Sequence, residues 1–260
     1  SESIQIRLGY SDTVSYPGLV ERSRSASFDP ITDDPIFGNP NLVTSDISNI
    51  DLRMEYYFGQ SNRLSIAAFN KKIDNPVELA IPDASGSAAS GVTFRNQTDA
   101  QLDGIELDFN TTIFDRDGHS LFINGNYSFI DSSVTLGADS LRLEGAVANG
   151  RQLQGQSEYL ANLQVGYDHQ PSGQKLTLLV NYFDDRIFRV ARGGASGPIV
   201  EVGRTLIDLN YEKLFADHWT FNLKIKNLGN EKTSFIQNTN EIEFYESGTS
   251  IGATLSYKLW

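Results

Sequence analysis

Apolar side chains fall on every second residue along almost the whole of this 260-residue chain, and hardly anywhere at helical spacing. The closing segment shows it most plainly. Ile251, Ala253, Leu255, Tyr257 and Leu259 alternate with small or polar residues, and the chain ends in Trp260. The same period marks Ile4, Ile6, Leu8 and Tyr10, then Ile50, Leu52, Met54, Tyr56 and Phe58, then Leu64, Ile66 and Ala68. It continues through Ile105, Leu107 and Phe109, through Leu121, Ile123, Tyr127 and Phe129, and through Tyr159, Ala161, Leu163, Val165 and Tyr167. Three more stretches follow: Leu176, Leu178, Val180 and Tyr182, then Ile207, Leu209 and Tyr211, then Phe221, Leu223 and Ile225. Each is a strand with one apolar and one polar face, and the count comes to about 11 strands.

The apolar face needs a non-aqueous partner. No run approaches the ~18–20 apolar residues of a membrane helix. Mean hydropathy is −0.31 and 39% of residues are hydrophobic, which excludes a helical membrane protein but not a barrel, whose strands are apolar on one face only. The chain has no cysteine, so disulfides, thiolate metal sites and cysteine nucleophiles are excluded. A net charge of −12 argues against nucleic acid as a partner. The sequence opens at Ser1 without a methionine or signal peptide, so we expect a processed protein or a segment of a longer one.

The connections alternate in length. Short ones are 59–62, 115–118, 171–174 and 216–218, and long ones are 16–44, 78–91, 136–150, 192–198 and 237–247. Short turns on one side and long loops on the other are the pattern of an outer-membrane barrel, with turns in the periplasm and loops outside. Aromatic residues gather at the short-turn ends: Tyr56, Tyr57, Phe58, Phe114, Tyr167, Phe215, Trp219, Phe221, Tyr257 and Trp260. We read these as a girdle at the periplasmic membrane surface, ordinary strand-end packing being the alternative. An odd strand number would put the termini on opposite sides, so the chain is expected to be part of a larger barrel.

The residues resemble the TonB-dependent outer-membrane receptors along nearly the whole chain. Leu8-Gly9-Tyr10-Ser11-Asp12-Thr13 with Pro17, Gly38-Asn39-Pro40-Asn41-Leu42 and Ala68-Phe69-Asn70-Lys71-Lys72-Ile73 are similar to successive motifs of that family. So are Asp103-Gly104-Ile105-Glu106-Leu107, Leu153-Gln154-Gly155-Gln156-Ser157-Glu158-Tyr159, Asp185-Arg186-Ile187, Arg204-Thr205-Leu206-Ile207-Asp208-Leu209 and Lys226-Asn227-Leu228-Gly229-Asn230. The usual terminal Ser-Tyr-x-Phe stands here as Ser256-Tyr257-Lys258-Leu259, with Leu for Phe and Trp260 as one residue extra. The resemblance implies an all-β, antiparallel up-and-down transmembrane barrel. About 11 strands are the C-terminal half of the 22-stranded, plug-filled barrel of such transporters. Residues 1–260 are then a partial barrel domain without plug or TonB box. The implied activity is energised import of a ferric siderophore, cobalamin or oligosaccharide, with a passive porin-like barrel or a soluble β-sandwich as alternatives. The implied partners are TonB-ExbB-ExbD through the plug, the barrel-assembly machinery through the last strand, and outer-membrane lipid and lipopolysaccharide.

No catalytic constellation, metal or cofactor is expected. His119, His169 and His218 lie in or beside short turns without chelating spacing, and read as interfacial residues more readily than as a periplasmic metal site. Gly193-Gly194-Ala195-Ser196-Gly197 follows no phosphate-loop pattern and reads as a flexible loop. Glu106, Asp108, Asp208 and Glu212 alternate with the apolar stripe and should line the lumen. Arg186, Arg189 and Arg192 climb into a long loop and are the candidate contacts for an anionic ligand, or for lipopolysaccharide, at the extracellular mouth. Phe28, Phe37, Phe235, Phe244 and Tyr245 are expected to pack within the loops, stacking on a ligand being the alternative.

Overall fold

The structure is a computed structural model that describes residues 3–29, 33–59, 61–83, 91–191, 197–216 and 218–259. Gln60, Arg192, the glycine-rich stretch 193–196, Asp217 and Trp260 lie outside the described residues.

Ten strands form one antiparallel sheet in chain order. They are β1 (Ile4–Ser15), β2 (Ser45–Phe58), β3 (Asn62–Asp74), β4 (Asp99–Arg116) and β5 (His119–Thr135). They continue with β6 (Tyr159–His169), β7 (Gln174–Phe183), β8 (Arg204–Phe215), β9 (Trp219–Lys226) and β10 (Ser250–Tyr257). The described wall therefore has ten strands, not about 11, and an even number returns β10 to the side from which β1 departs. The parity argument for an incomplete barrel accordingly fails. The sheet itself is open, because β1 and β10 pair with one neighbour each.

Register explains why the alternation in single strands matters. Leu8 stands opposite Leu52, Ile66 opposite Leu107, Leu107 opposite Tyr127 and Val165 opposite Leu178. Leu178 meets Leu209, Leu209 meets Ile225 and Ile225 meets Ile251. The sequence stripes thus join into one apolar band that crosses all ten strands and stays exposed at residues such as Leu8, Leu52, Ile66 and Leu255. A one-residue slip in any pair would break the band. Exposed apolar area of this extent on a single face is what a lipid-facing barrel wall carries.

Most of the short-turn aromatics lie on this outward face. Tyr56 stacks on Phe58 (5.5 Å between ring centroids), Phe215 on Trp219 (6.5 Å), and Trp219 tilts against Tyr257 (4.9 Å). Tyr57 differs: it turns to the polar face, where its hydroxyl donates to Glu55 Oε2 (2.9 Å). The tightest turn follows its sequence. Asp117 and Gly118 both take positive φ, 54° and 78°, which makes the two-residue link between Arg116 and His119 that a right-twisted hairpin prefers.

Three wall glycines sit directly opposite phenylalanines: Gly104 opposite Phe69, Gly125 opposite Phe109 and Gly166 opposite Phe122. In each pair the ring covers the space that a Cβ would need. Gly166→Val is expected to displace Phe122 and destabilise the sheet by about 1–3 kcal/mol. Urea unfolding in detergent should show the loss, and Phe122→Ala should reduce it. An unchanged midpoint would mean that the ring has room to move.

On the long-loop side two small sheets rise above the wall. One joins Ala26–Phe28, Pro35–Phe37, Val92–Asn96 and Val77–Ala80; the other joins Arg186–Arg189, Ile199–Glu201, Lys232–Gln237 and Asn240–Glu246. A short helix, α1 (Ala138–Glu144), fills the loop after β5. Beneath it Ala100, Val134 and Leu136 are buried with Ile73, Leu141, Ala148 and Leu153. This core lies on the inward face, so the polar lumen wall of the lower strands becomes apolar where loops fold over it.

Candidate functional site

The loop bases are stitched by side-chain amides and hydroxyls. Asn39 Nδ2 donates to Phe94 O (2.9 Å), and Asn39 Oδ1 accepts from Asn41 N (3.0 Å). Ser157 Oγ donates to Asp184 O (2.8 Å). Asn227 takes φ 53°; its Nδ2 donates to Glu231 O (2.9 Å) and its Oδ1 accepts from Glu231 N (2.8 Å). Asp208 Oδ1 accepts from Asn227 N (2.9 Å), so one predicted lumen carboxylate seats a loop. These residues belong to the recurring motifs in the sequence, and their shared role is to close loops onto the wall.

Above the stitches, arginines join loops that are far apart in sequence. Arg151 lies between Glu78 (Nη2 to Oε2, 2.9 Å) and Glu144 (Nε to Oε2, 3.1 Å), and both carboxylates are buried. Gln154 completes the junction: its backbone N donates to Glu78 Oε1 (2.9 Å), its Oε1 accepts from Leu79 N (2.9 Å), and its Nε2 donates to Phe188 O (2.7 Å). Three loops therefore meet at residues 78–79, 151–154 and 188.

Burial pushes the Glu144 carboxyl above its ordinary range, against the opposing pull of Arg151. Burial also opposes the charge on Arg151, but Glu78 and Glu144 outweigh it and hold the guanidinium more firmly protonated. Because the folded value for Glu144 is raised, its contribution to the docked loop is complete below the ordinary carboxylate pKa. That contribution is lost as pH rises through the raised value. Glu144→Gln should therefore leave the loop nearly as stable at neutral pH. Arg151→Leu, which strands two buried carboxylates, should cost about 3–5 kcal/mol. Hydrogen exchange across residues 138–151 separates the two outcomes, and equal effects would refute the assignment.

Two of the sequence-selected arginines, Arg186 and Arg189, are also held in ion pairs. Arg189 is buried between Asp29 and Asp34, 155 residues away at 2.6 Å for the latter. Arg186 pairs with Glu201 (2.7 Å), which also takes Arg204 (2.9 Å), and both guanidiniums lie over the Phe183 ring at 4.7 and 4.8 Å. Phe235 is buried against Phe188 (4.7 Å) and near Tyr245 (6.4 Å). On the outward rim His119 and His169 stack at 4.0 Å, with His119 Nδ1 against the Tyr167 hydroxyl (2.6 Å), while His218 lies apart, against Tyr257.

Two of the spaces on the inward face bear on the site. A cavity of about 440 Å³ opens under the loops, lined by Tyr16, Glu21, Glu78, Phe94, Leu153 and Gln154 among others. A groove of about 490 Å³ runs lower on the wall past Asp108, Asn110, Asn126, Asn162, Gln164 and Asn181. Lower still, Glu55 is held by Arg7 (3.0 Å) and Arg53 (3.0 Å), and Arg53 reaches Asp108 (2.8 Å). Sequence reasoning named Asp108 but missed Arg53 and Glu55, although both alternate with the apolar stripe. It also missed the Arg151 junction, whose only signal was its place beside the Leu-Gln-Gly-Gln-Ser segment.

An antiparallel wall with an outward apolar band, a polar inner face, short turns on one side and stitched loops on the other defines an outer-membrane β-barrel protein. The family model described as TonB dependent receptor-like, beta-barrel, matches residues 1–228, and the chain belongs to that family, placed in the outer membrane. Similar solved structures include the siderophore receptor PiuA of Acinetobacter baumannii (16% identity, TM-score 0.65), covering 99% of this chain and 34% of that one. A ferric enterobactin receptor PfeA mutant of Pseudomonas aeruginosa in complex with enterobactin has 13% identity and TM-score 0.64, covering 99% of this chain and 39% of that one. The iron transporter FrpB of Neisseria meningitidis has 14% identity and TM-score 0.63, covering 99% and 37%. The chain thus spans little more than a third of these proteins. No curated protein sequence matches it.

Proposed function

We propose that residues 1–260 form part of the barrel wall and extracellular loops of a TonB-dependent active transporter that imports a large, scarce nutrient. The supporting observation is the family match over 228 residues, together with a register that sends every strand's apolar stripe outward. In this reading the wall carries no enzymatic chemistry. Coupling to TonB-ExbB-ExbD runs through a plug domain supplied outside this stretch, and the inner face, with Arg53, Glu55 and Asp108, is the surface such a plug meets. The loops take the nutrient from outside, whether ferric siderophore, cobalamin or oligosaccharide. Arg186 and Arg189 serve that mouth by holding the loops that shape it. The last strand meets the assembly machinery, and the outward band meets lipid and lipopolysaccharide.

The test is made in a strain carrying the whole receptor. The protein should fractionate with the outer membrane and run as a heat-modifiable band. Uptake of its nutrient should cease on loss of TonB or on treatment with a protonophore. Uptake that persists under both treatments would refute energised transport and favour a passive pore.

A further inference from the structure

We propose that the nutrient is an uncharged, hydroxyl-rich ligand of the oligosaccharide class, bound in the cavity between Tyr16, Glu21, Phe94 and Gln154; this rests on the transporter reading above. The cavity has the volume of a small-molecule site, about 440 Å³. Its lining offers the rings of Tyr16 and Phe94, the Glu21 carboxylate and serine hydroxyls, and among the described residues it contains no lysine, arginine or histidine. Glu78 and Gln154 also border it, but their polar groups are engaged in the loop junction. Tyr16 is 78% exposed, so its ring face is open to a ligand. An apolar ring beside acceptor oxygens suits a pyranose, which has apolar C–H faces and a rim of hydroxyl donors.

Charge points the same way. A polyanionic ligand entering this cavity would approach Glu21 with no cation among the described lining residues to offset it, Glu78 being matched by Arg151. Four guanidiniums nearby are already matched: Arg151 by Glu78 and Glu144, Arg189 by Asp29 and Asp34, and Arg186 and Arg204 by Glu201. Arg95 has a buried Nη1 without a hydrogen-bond partner, but it stands opposite Glu78, on the face of its small sheet away from the cavity-lining Phe94. Recruiting Arg151 would strip two buried carboxylates of the guanidinium they share.

The wall below continues the chemistry. Asn162 Nδ2 donates to Asn126 Oδ1 (2.9 Å) and Asn181 Nδ2 donates to Asn162 Oδ1, which makes a carboxamide ladder across three strands. Asn110, Asn124 and Gln164 line the same groove. Arg63, Asp108 and Asp208 share the lining, and between them the carboxamides, which both donate to and accept from hydroxyls, give a polyol a path down the wall.

The test titrates the detergent-purified whole receptor, by calorimetry, with maltohexaose, cellohexaose and xylohexaose as uncharged probes. Hexagalacturonate serves as the acidic counterpart and ferric enterobactin as the anionic siderophore. At least one uncharged hexasaccharide should bind, Tyr16→Ala should weaken it roughly tenfold, and the two anionic probes should not compete. Glu21→Lys should shift preference toward hexagalacturonate in low salt, a change that mere loss of structure would not produce. A heat-modifiable band for each variant confirms folding. Binding of ferric enterobactin or hexagalacturonate in preference to every uncharged probe, or binding of no uncharged probe, overturns the ligand class and leaves the transporter reading standing. Recovery of the whole receptor outside the outer membrane overturns that reading, and this inference with it.

Discussion

Arg189→Met is expected to release the Ala26–Phe37 segment from the loop that follows β7, at a cost of about 3–5 kcal/mol to that junction. Arg189 and Asp29 are almost wholly buried, while Asp34 is about one-third exposed. Methionine fills much of the space but removes the guanidinium that Asp29 and Asp34 share. The turn closed by Asp29 N to Asp34 O (2.9 Å) and Asp33 N to Asp29 O (2.9 Å) should then open. Amide exchange over residues 26–37 should rise, and trypsin should cut faster at Arg22 and Arg24, while exchange in β4 and β5 stays unchanged. The partner variant carrying both Asp29→Asn and Asp34→Asn should cost less when combined with Arg189→Met than the sum of the two, because the pair is removed together. Additive effects would show that the three groups act separately.

The second large effect concerns two adjacent leucines. Leu178 stands in register with Val165 and Leu209 on the outward band, whereas Leu179 stands with Gln164 and Asp208 on the inner face. Hydropathy cannot distinguish them; the pleat does. Leu178→Arg places a guanidinium in the hydrocarbon layer and should destabilise the barrel by about 2–4 kcal/mol near the bilayer midplane. Leu179→Arg faces polar groups and should have a small effect. Urea titration of the whole receptor in lipid vesicles, read by heat-modifiable mobility, compares them directly. Equal losses at the two positions would mean that the inward and outward faces have been misassigned.

Much of this molecule was legible along the chain because a pleated strand has a fixed two-residue period. Ile4 to Tyr10 and Leu121 to Phe129 each state which face is apolar, and pairing has only to align them. Turn chemistry was equally local: Asp117 and Gly118 adopt positive φ, which glycine tolerates for want of a Cβ and aspartate through its short polar side chain. The strand count was less secure, since long strands such as β4 and irregular loop segments blur where one element ends. Tyr57 followed the period, not its aromatic character, and so faced inward.

What the sequence by itself determined is the wall: alternating strands, a lipid-facing stripe, and short turns on one side, all set by interactions between near neighbours. Only the tertiary structure decided the mouth. Arg189 meets Asp29 across 160 residues, and Arg151 meets Glu78 across 73. No local period encodes such pairs, because burial of a charge depends on what a distant loop brings to it. Arg186 and Arg189, singled out in the sequence for their charge, are paired once folded with Glu201 and with Asp29 and Asp34.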